Sequence, residues 1–137
     1  MSTEKIRTLI QKHIEMELKL DVEGVLATLV DNPLYEFHPA HLRLEGKENI
    51  REFYKEHFET FFPLLQSNVL INECWDTHSV CMEYDLFLKA PYDPNRPYRI
   101  NVVLTEKDGV LIGERFYVED ELARLMAGKT FERFVKF

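Results

Sequence analysis

In "DGVLIGERFYVED", residues 108–120, an Asp-Gly turn is followed by an apolar run carrying one acid, Glu114. In an enclosed site burial raises a carboxyl pKa and makes it a general acid or base. The alternative is a charge on an exposed strand face, paired with Arg115 or a residue of the next strand. Four histidines raise parallel questions. His38 ends an apolar run just before Pro39 and titrates near neutrality, so it is a candidate general base; a solvated strand-end histidine is the plainer reading. His13 lies on an apolar helical stripe, either as a satisfied core histidine or as a donor into a pocket. His57 lies on the core face of another helix, where packing is the plainer role. His38 and His41 form a His-x-x-His pair, but no third ligand is evident, so no metal is expected. Asn101 either donates to a developing oxyanion or ties strands together. Tyr84, on the apolar face of its strand, either offers its hydroxyl or packs.

The elements that must position these residues follow from periodicity. Ile6, Leu9, Ile10, His13, Ile14 and Glu17 share one face at helical spacing, which predicts a helix over about residues 3–19. Asp21 is placed to cap a second helix with the stripe Val22, Val25, Leu26, Leu29 and Val30, ended by Asn32-Pro33. Leu34–His38 reads as a short strand stopped by Pro39. After Gly46 comes a third helix with Ile50, Phe53, Tyr54, His57, Phe58 and Phe61 on one face, terminated by Pro63. From there the period changes to two. Strands are expected at Ser67–Trp75 and Ser79–Ala90, and "PYDPNRP" is a loop. Tyr98–Thr105 and Val110–Val118 form a hairpin across "EKDG". Asp120 then caps a short helix to about Ala127, which Gly128 ends. Helices followed by an antiparallel meander define an α+β fold, and three helices against a curved sheet leave a concavity suited to a ligand.

Composition narrows the function classes. The 137 residues suit one domain spanning 1–137, and a hydrophobic content of 45% supplies a core. Net charge is −7 and the basic residues are scattered, which argues against nucleic acid. No apolar run approaches a membrane span, and the charged, amphipathic start "MSTEKIRTLIQKH" has no signal-peptide core. Cys74 and Cys81 lack metal spacing and suit adjacent strands of a reduced, cytoplasmic protein.

Three strings carry a resemblance. "YEFHPAHLRLEGKENIREFY", "DGVLIGERFYVED" and "HIEMELKLDVEGVLATLVDN" resemble, in order and spacing, the nuclear-transport-factor-2-like superfamily. Within it they look like the SnoaL-like polyketide cyclases and the ketosteroid-isomerase-like proteins. The resemblance implies a cone of three to four helices on a strongly curved, mostly antiparallel sheet with a central pocket. The isomerase base, just before the proline ending the first strand, falls on His38, or on Phe37 if the strand slips by one residue. The isomerase tyrosine falls on His13 and its protonated acid, counted back from the hairpin turn, on Asn101. None of these keeps the isomerase residue. The acid common in the cyclases' "R-E-Y" strand falls on Phe116, but Glu114 is two residues earlier and shares its face. If Phe116 faces the pocket, so does Glu114.

The resulting expectation is a cofactor-independent isomerase, cyclase or dehydratase moving a proton on a small apolar metabolite. His38 or Glu114 would move the proton, with Asn101 and His13 as the other catalytic candidates. Tyr84, Phe116, Tyr35, Phe53 and His57 would line the ligand pocket. A homodimer is expected through the exposed sheet face, because the strand at 98–105 is apolar on both faces. Two alternatives stand beside it. One is a ligand-binding or assembly protein without chemistry. The other is a hydrolase resembling limonene epoxide hydrolase, whose Asp-Arg-Asp arrangement meets Phe116 where one Asp would be.

Overall fold

The computed structural model describes residues 2–137. Helix α1 spans Glu4–Leu18 and buries Ile6, Ile10 and His13. Asp21 caps α2, Val22–Leu26, by accepting from the Gly24 amide at 2.9 Å. Strands β1 (Leu29–His38) and β2 (Leu42–Glu45) precede α3 (Lys47–Glu56). The chain then loosens into a wide helical turn at His57–Phe61 and a tight one at Phe62–Leu64, with Pro63 inside it. Strands β3 (Leu65–Trp75), β4 (Ser79–Leu88), β5 (Tyr98–Lys107) and β6 (Val110–Tyr117) follow, then α4 (Asp120–Ala127), a 3-10 segment at Gly128–Arg133 and β7 (Val135–Lys136).

Among the described residues, four α-helices pack on one strongly curved sheet of seven strands ordered β3-β4-β5-β6-β1-β2-β7. All pairings are antiparallel except β1 with β6. The α+β cone expected from the sequence is therefore present. Buried apolar side chains from the helices and the inner sheet face form one cluster, including Ile10, Tyr35, Phe53, Leu104 and Leu122.

Three local expectations are corrected, and two strands are new. The second helix stops at Leu26 rather than at Asn32, and β1 begins at Leu29. The stripe through Leu29 and Val30 fitted a helix, but a short apolar run cannot distinguish a buried strand from a helix. Pro33 sits inside β1, in the stretch where the register against β6 shifts between Leu29 and Leu34, so the ladder there has no need of its missing N–H. Asp120 is the first residue of α4 and ion-pairs with Arg124, while Glu119 occupies the cap position. Finally, β2 and β7 had no signal strong enough to predict them. Both are short, and β2 pairs with β7 only through Leu42–Lys136 and Arg43–Val135.

Candidate functional site

Gly113 is where the site begins. Its φ is +144°, and a Cβ there would lie 1.7 Å from the Leu34 carbonyl oxygen, so only glycine permits β6 to lie this close to β1. That approach brings Glu114 opposite Tyr35 on β1 and Leu104 on β5. Glu114 is 5% exposed, and its carboxylate faces the inside of the cone.

Its partners come from three other elements. The Tyr54 hydroxyl, on α3, donates to Glu114 Oε2 at 2.7 Å. The Tyr35 hydroxyl lies 2.5 Å from that of Tyr54. Because Tyr54 gives its only hydrogen to Glu114, Tyr35 is the donor of that pair. His13 Nε2, on α1, is 3.2 Å from the same Oε2. On the other edge of the ring, Nδ1 is 2.7 Å from Thr28 Oγ1, and the Thr28 hydroxyl donates to the Val25 carbonyl at 2.6 Å. Thr28 has no second hydrogen, so it can only accept, and His13 Nδ1 carries a hydrogen. One further proton must then lie between Nε2 and Oε2.

The electrostatics say which side holds it. Burial alone lowers the His13 pKa, but the Glu17 charge and the hydrogen bond and charge of Glu114 outweigh it and leave it raised. Burial alone raises Glu114, but the His13 hydrogen bond and charge and the Tyr54 hydroxyl outweigh it and leave it lowered. Both shifts describe an imidazolium facing a carboxylate. Glu17 is the third member, one helical turn beyond His13, with Oε1 3.7 Å from Nε2. Burial first, then the charge of Glu114, push its pKa up to about 8 against the opposing pull of His13. Its side chain is still 21% exposed, so water tempers that shift without reversing it. Tyr35 and Tyr54 are held well above the usual phenol range, chiefly by burial and then by the Glu114 charge, and stay protonated.

His13, Glu17 and Glu114 open onto a cavity of about 180 Å³ between α1, the wide turn after α3 and the inner face of β3–β6. Tyr84, Asn68 and His57 are its other polar lining, among apolar residues such as Ile10, Phe61, Met82 and Phe116. Leu18, 76% exposed, marks its mouth. The His13 nitrogen and the two glutamate oxygens lie within 4.8 Å of one another, a donor set that could also hold a divalent cation. His38 and His41 are already engaged, by Glu36 Oε1 at 2.8 Å and by the Phe137 carbonyl at 2.7 Å.

Of the residues singled out from the sequence, Glu114, His13, Tyr84, Phe116 and His57 line the cavity. Tyr84 directs its hydroxyl to Met82 Sδ at 3.3 Å. Tyr35 and Phe53 are fully buried behind the lining, one in the hydrogen-bond chain to Glu114 and the other stacked on His57. His38 is a correction. Tyr35 and Phe37 take the buried positions of β1, so His38 faces away and stacks on Tyr117 at 5.0 Å. Asn101 is another correction. Ile100, Val102 and Leu104 are the inward residues of β5, and Asn101 lies on the opposite face, between Glu83 and Tyr117 in register. The register shift between Leu104 and Glu106 puts its extra residue on β6, three steps from Leu111 to Glu114 against two on β5, so it leaves the alternation along β5 intact. Sequence reasoning left out Glu17, Thr28 and Tyr54. Glu17 and Tyr54 were visible as polar members of otherwise apolar helical stripes; Thr28 had no such signal.

No family model matches the sequence, and no curated protein matches it. Solved structures do. A nuclear-transport-factor-2-like protein of unknown function from Mesorhizobium loti aligns with a TM-score of 0.68 at 12% identity, covering 85% of this chain and 93% of that one. A ketosteroid isomerase-like protein from Kribbella flavida aligns at 0.64 and 17% identity, covering 86% and 80%. An epoxide hydrolase of the limonene-epoxide-hydrolase-like type from M. tuberculosis aligns at 0.65 and 18% identity, covering 92% of each. The chain has the nuclear-transport-factor-2-like fold. At these identities the likeness reaches the fold and stops there.

Proposed function

We propose that the protein is a cofactor-independent enzyme that moves a proton on a small, largely apolar metabolite, in an isomerisation, cyclisation or dehydration. The observation that carries this is a pair of carboxyl groups on one apolar cavity with pKa values pushed in opposite directions, Glu17 up and Glu114 down. Such a split assigns acid and base. Glu17, protonated at neutral pH, donates to the substrate oxygen. Glu114, anionic between His13 and Tyr54, takes the proton from carbon. Tyr84 is available to the developing oxyanion. A homodimer through the exposed sheet face and a reducing, cytoplasmic setting for the free thiols Cys74 and Cys81 complete this reading.

The test is α-proton exchange of small cyclic ketones, such as cyclohexanone and cyclohexenone, in D2O followed by NMR. The expected result is exchange above the buffer rate, reduced about 10²- to 10⁴-fold by Glu17→Gln. Exchange at the buffer rate for the whole panel, or exchange indifferent to that substitution, overturns the enzymatic reading.

One observation favours a binding protein without chemistry. Glu114 Oε2 already receives two hydrogen bonds, from Tyr54 and His13, and a carboxylate so engaged is a weak base. Ligand binding without exchange is the outcome that selects this second reading. The epoxide-hydrolase alternative gains nothing from the cavity, whose described lining contains no arginine.

A further inference from the structure

Of the two polar lining residues that the acid–base chemistry does not use, Asn68 is exposed and His57 is buried. His57 is 7% exposed, and its Nδ1 lies 2.8 Å from the Met126 carbonyl oxygen. A carbonyl only accepts, so Nδ1 carries the hydrogen and Nε2 is left as a bare lone pair. Among the described residues Nε2 has no hydrogen-bond partner, although the ring lines the cavity. The ring cannot swing away to find one. Phe53 stacks on one face at 5.2 Å and 16°, and Phe61 on the other at 5.1 Å and 14°. Burial pulls the pKa of this histidine down to about 4, so it stays neutral and acceptor-only at physiological pH. The local backbone matches this purpose: His57 opens the wide helical turn after α3, a distortion common where a helix serves a site.

We propose that His57 Nε2 is the ligand anchor, and that the cavity takes a single-ring compound carrying a hydroxyl group, a phenol or a cyclic alcohol, whose O–H donates to Nε2. At this position a fixed neutral acceptor gives nothing to a carbonyl or ether oxygen, which has no hydrogen to give; a carbonyl is received at the Glu17 end of the cavity. Size sets the rest. An apolar cavity of about 150 Å³ holds benzene, and the cavity here is about 180 Å³ with walls such as Phe61, Met82, Leu86 and Phe116. One ring with one or two small substituents fills it. This rests on the reading of the cavity as the ligand site and is independent of any proton transfer there.

The experiment titrates the full chain with phenol and with fluorobenzene, which is close in size and has no donor, and follows the ¹⁵N resonance of His57 Nε2. The expected result is phenol binding at least about tenfold tighter, with an upfield shift of Nε2 that fluorobenzene does not produce. His57→Phe keeps the aromatic volume and should bring phenol down to the fluorobenzene level. His57→Gln, which retains an acceptor, should restore part of the preference. Equal affinities, no binding of either probe, an unmoved Nε2 resonance, or a phenol preference that survives His57→Phe would each overturn the anchor. If His57→Phe does not fold, the wild-type resonance decides. Loss of ketone exchange with the phenol preference intact removes the enzymatic reading alone; the reverse result removes only the anchor.

Discussion

At Glu114 two donors from different elements meet one carboxylate oxygen, and the consequence is structural as much as chemical. Tyr54 and the His13 imidazolium both direct hydrogens at Oε2. Glu114→Gln is nearly isosteric but leaves that imidazolium buried without its counter-charge, and it should lower stability by roughly 1–3 kcal/mol in urea melts near neutral pH. A melt unchanged by the substitution would mean that His13 is neutral. Glu17 behaves in the opposite sense. Its pKa is about 8 in the folded chain against 4.5 for the free group, so the fold holds a proton that the unfolded chain has lost. Stability therefore falls as pH rises from about 4.5 to about 8. His57, lowered from 6.5 to about 4, opposes this on the acid side, because the unfolded chain takes up its proton first as pH drops through 6.5. His13, raised above 6.5, contributes stability that is lost as pH climbs through its folded value. Above pH 6.5 only Glu17 and His13 act among these three, and both erode stability. Thermal melts of the wild type should decline from pH 6.5 to 9. Glu17→Gln should flatten that decline and add roughly 1–3 kcal/mol at pH 8. A parallel decline in the mutant would place the titrating group elsewhere.

At the scale of elements, the parallel pairing of β1 with β6 is what joins the acid to its tyrosines. Leu34 pairs with Gly113 and Tyr35 with Glu114. Any side chain at 113 must displace the Leu34 backbone, and the positive φ adds its own strain. Gly113→Ala should cost about 3 kcal/mol or more and weaken ligand binding together with stability. Wild-type stability in that variant would show that the strands can separate without consequence for the site. Helix α1 does complementary work. Its spacing stacks His13 and Glu17 on one face, i to i+4, so a single helix supplies both the imidazolium and the second carboxyl group.

For the whole molecule, the open side is β3. It is the long edge strand of the sheet, β7 at the other edge being two residues, and Val69, Leu70 and Ile71 are 47%, 46% and 46% exposed. A long edge strand with three consecutive exposed apolar residues is a pairing surface unless something covers it. The proposed homodimer covers it with the adjoining outer face. Light scattering after size exclusion should give twice the 16.3 kDa chain mass, and Leu70→Lys should shift the protein toward monomer. A wild-type monomer at micromolar concentration would count against the interface. At this scale the acidity of the chain, net −7, has no single locus. Arg99, for example, is spent between Glu83 and Asp85 on the outer sheet face.

What the sequence determined by itself was periodicity and therefore class. Helical stripes in α1 and α3, alternation in β4 and the Asp-Gly hairpin were all legible, because each is a local pattern spanning one or two elements. The three resembling strings carried that class to a particular fold. Side-chain parity also placed Glu114 with Phe116. What the sequence could not decide was anything that depends on register between distant strands. The face that β5 presents to the helices took Ile100 and Val102 in and left Asn101 outward, and the face taken by β1 turned His38 outward and Phe37 in. The extra length of β1 was hidden for the same reason, since Leu29 suits a helix stripe and a buried strand equally well. Only tertiary structure brought Thr28, 15 residues along the chain from His13, to its Nδ1, and Glu114, 101 residues away, to its Nε2. A proton's position follows from all its neighbours at once, and those neighbours are assembled only when the sheet closes over the helices.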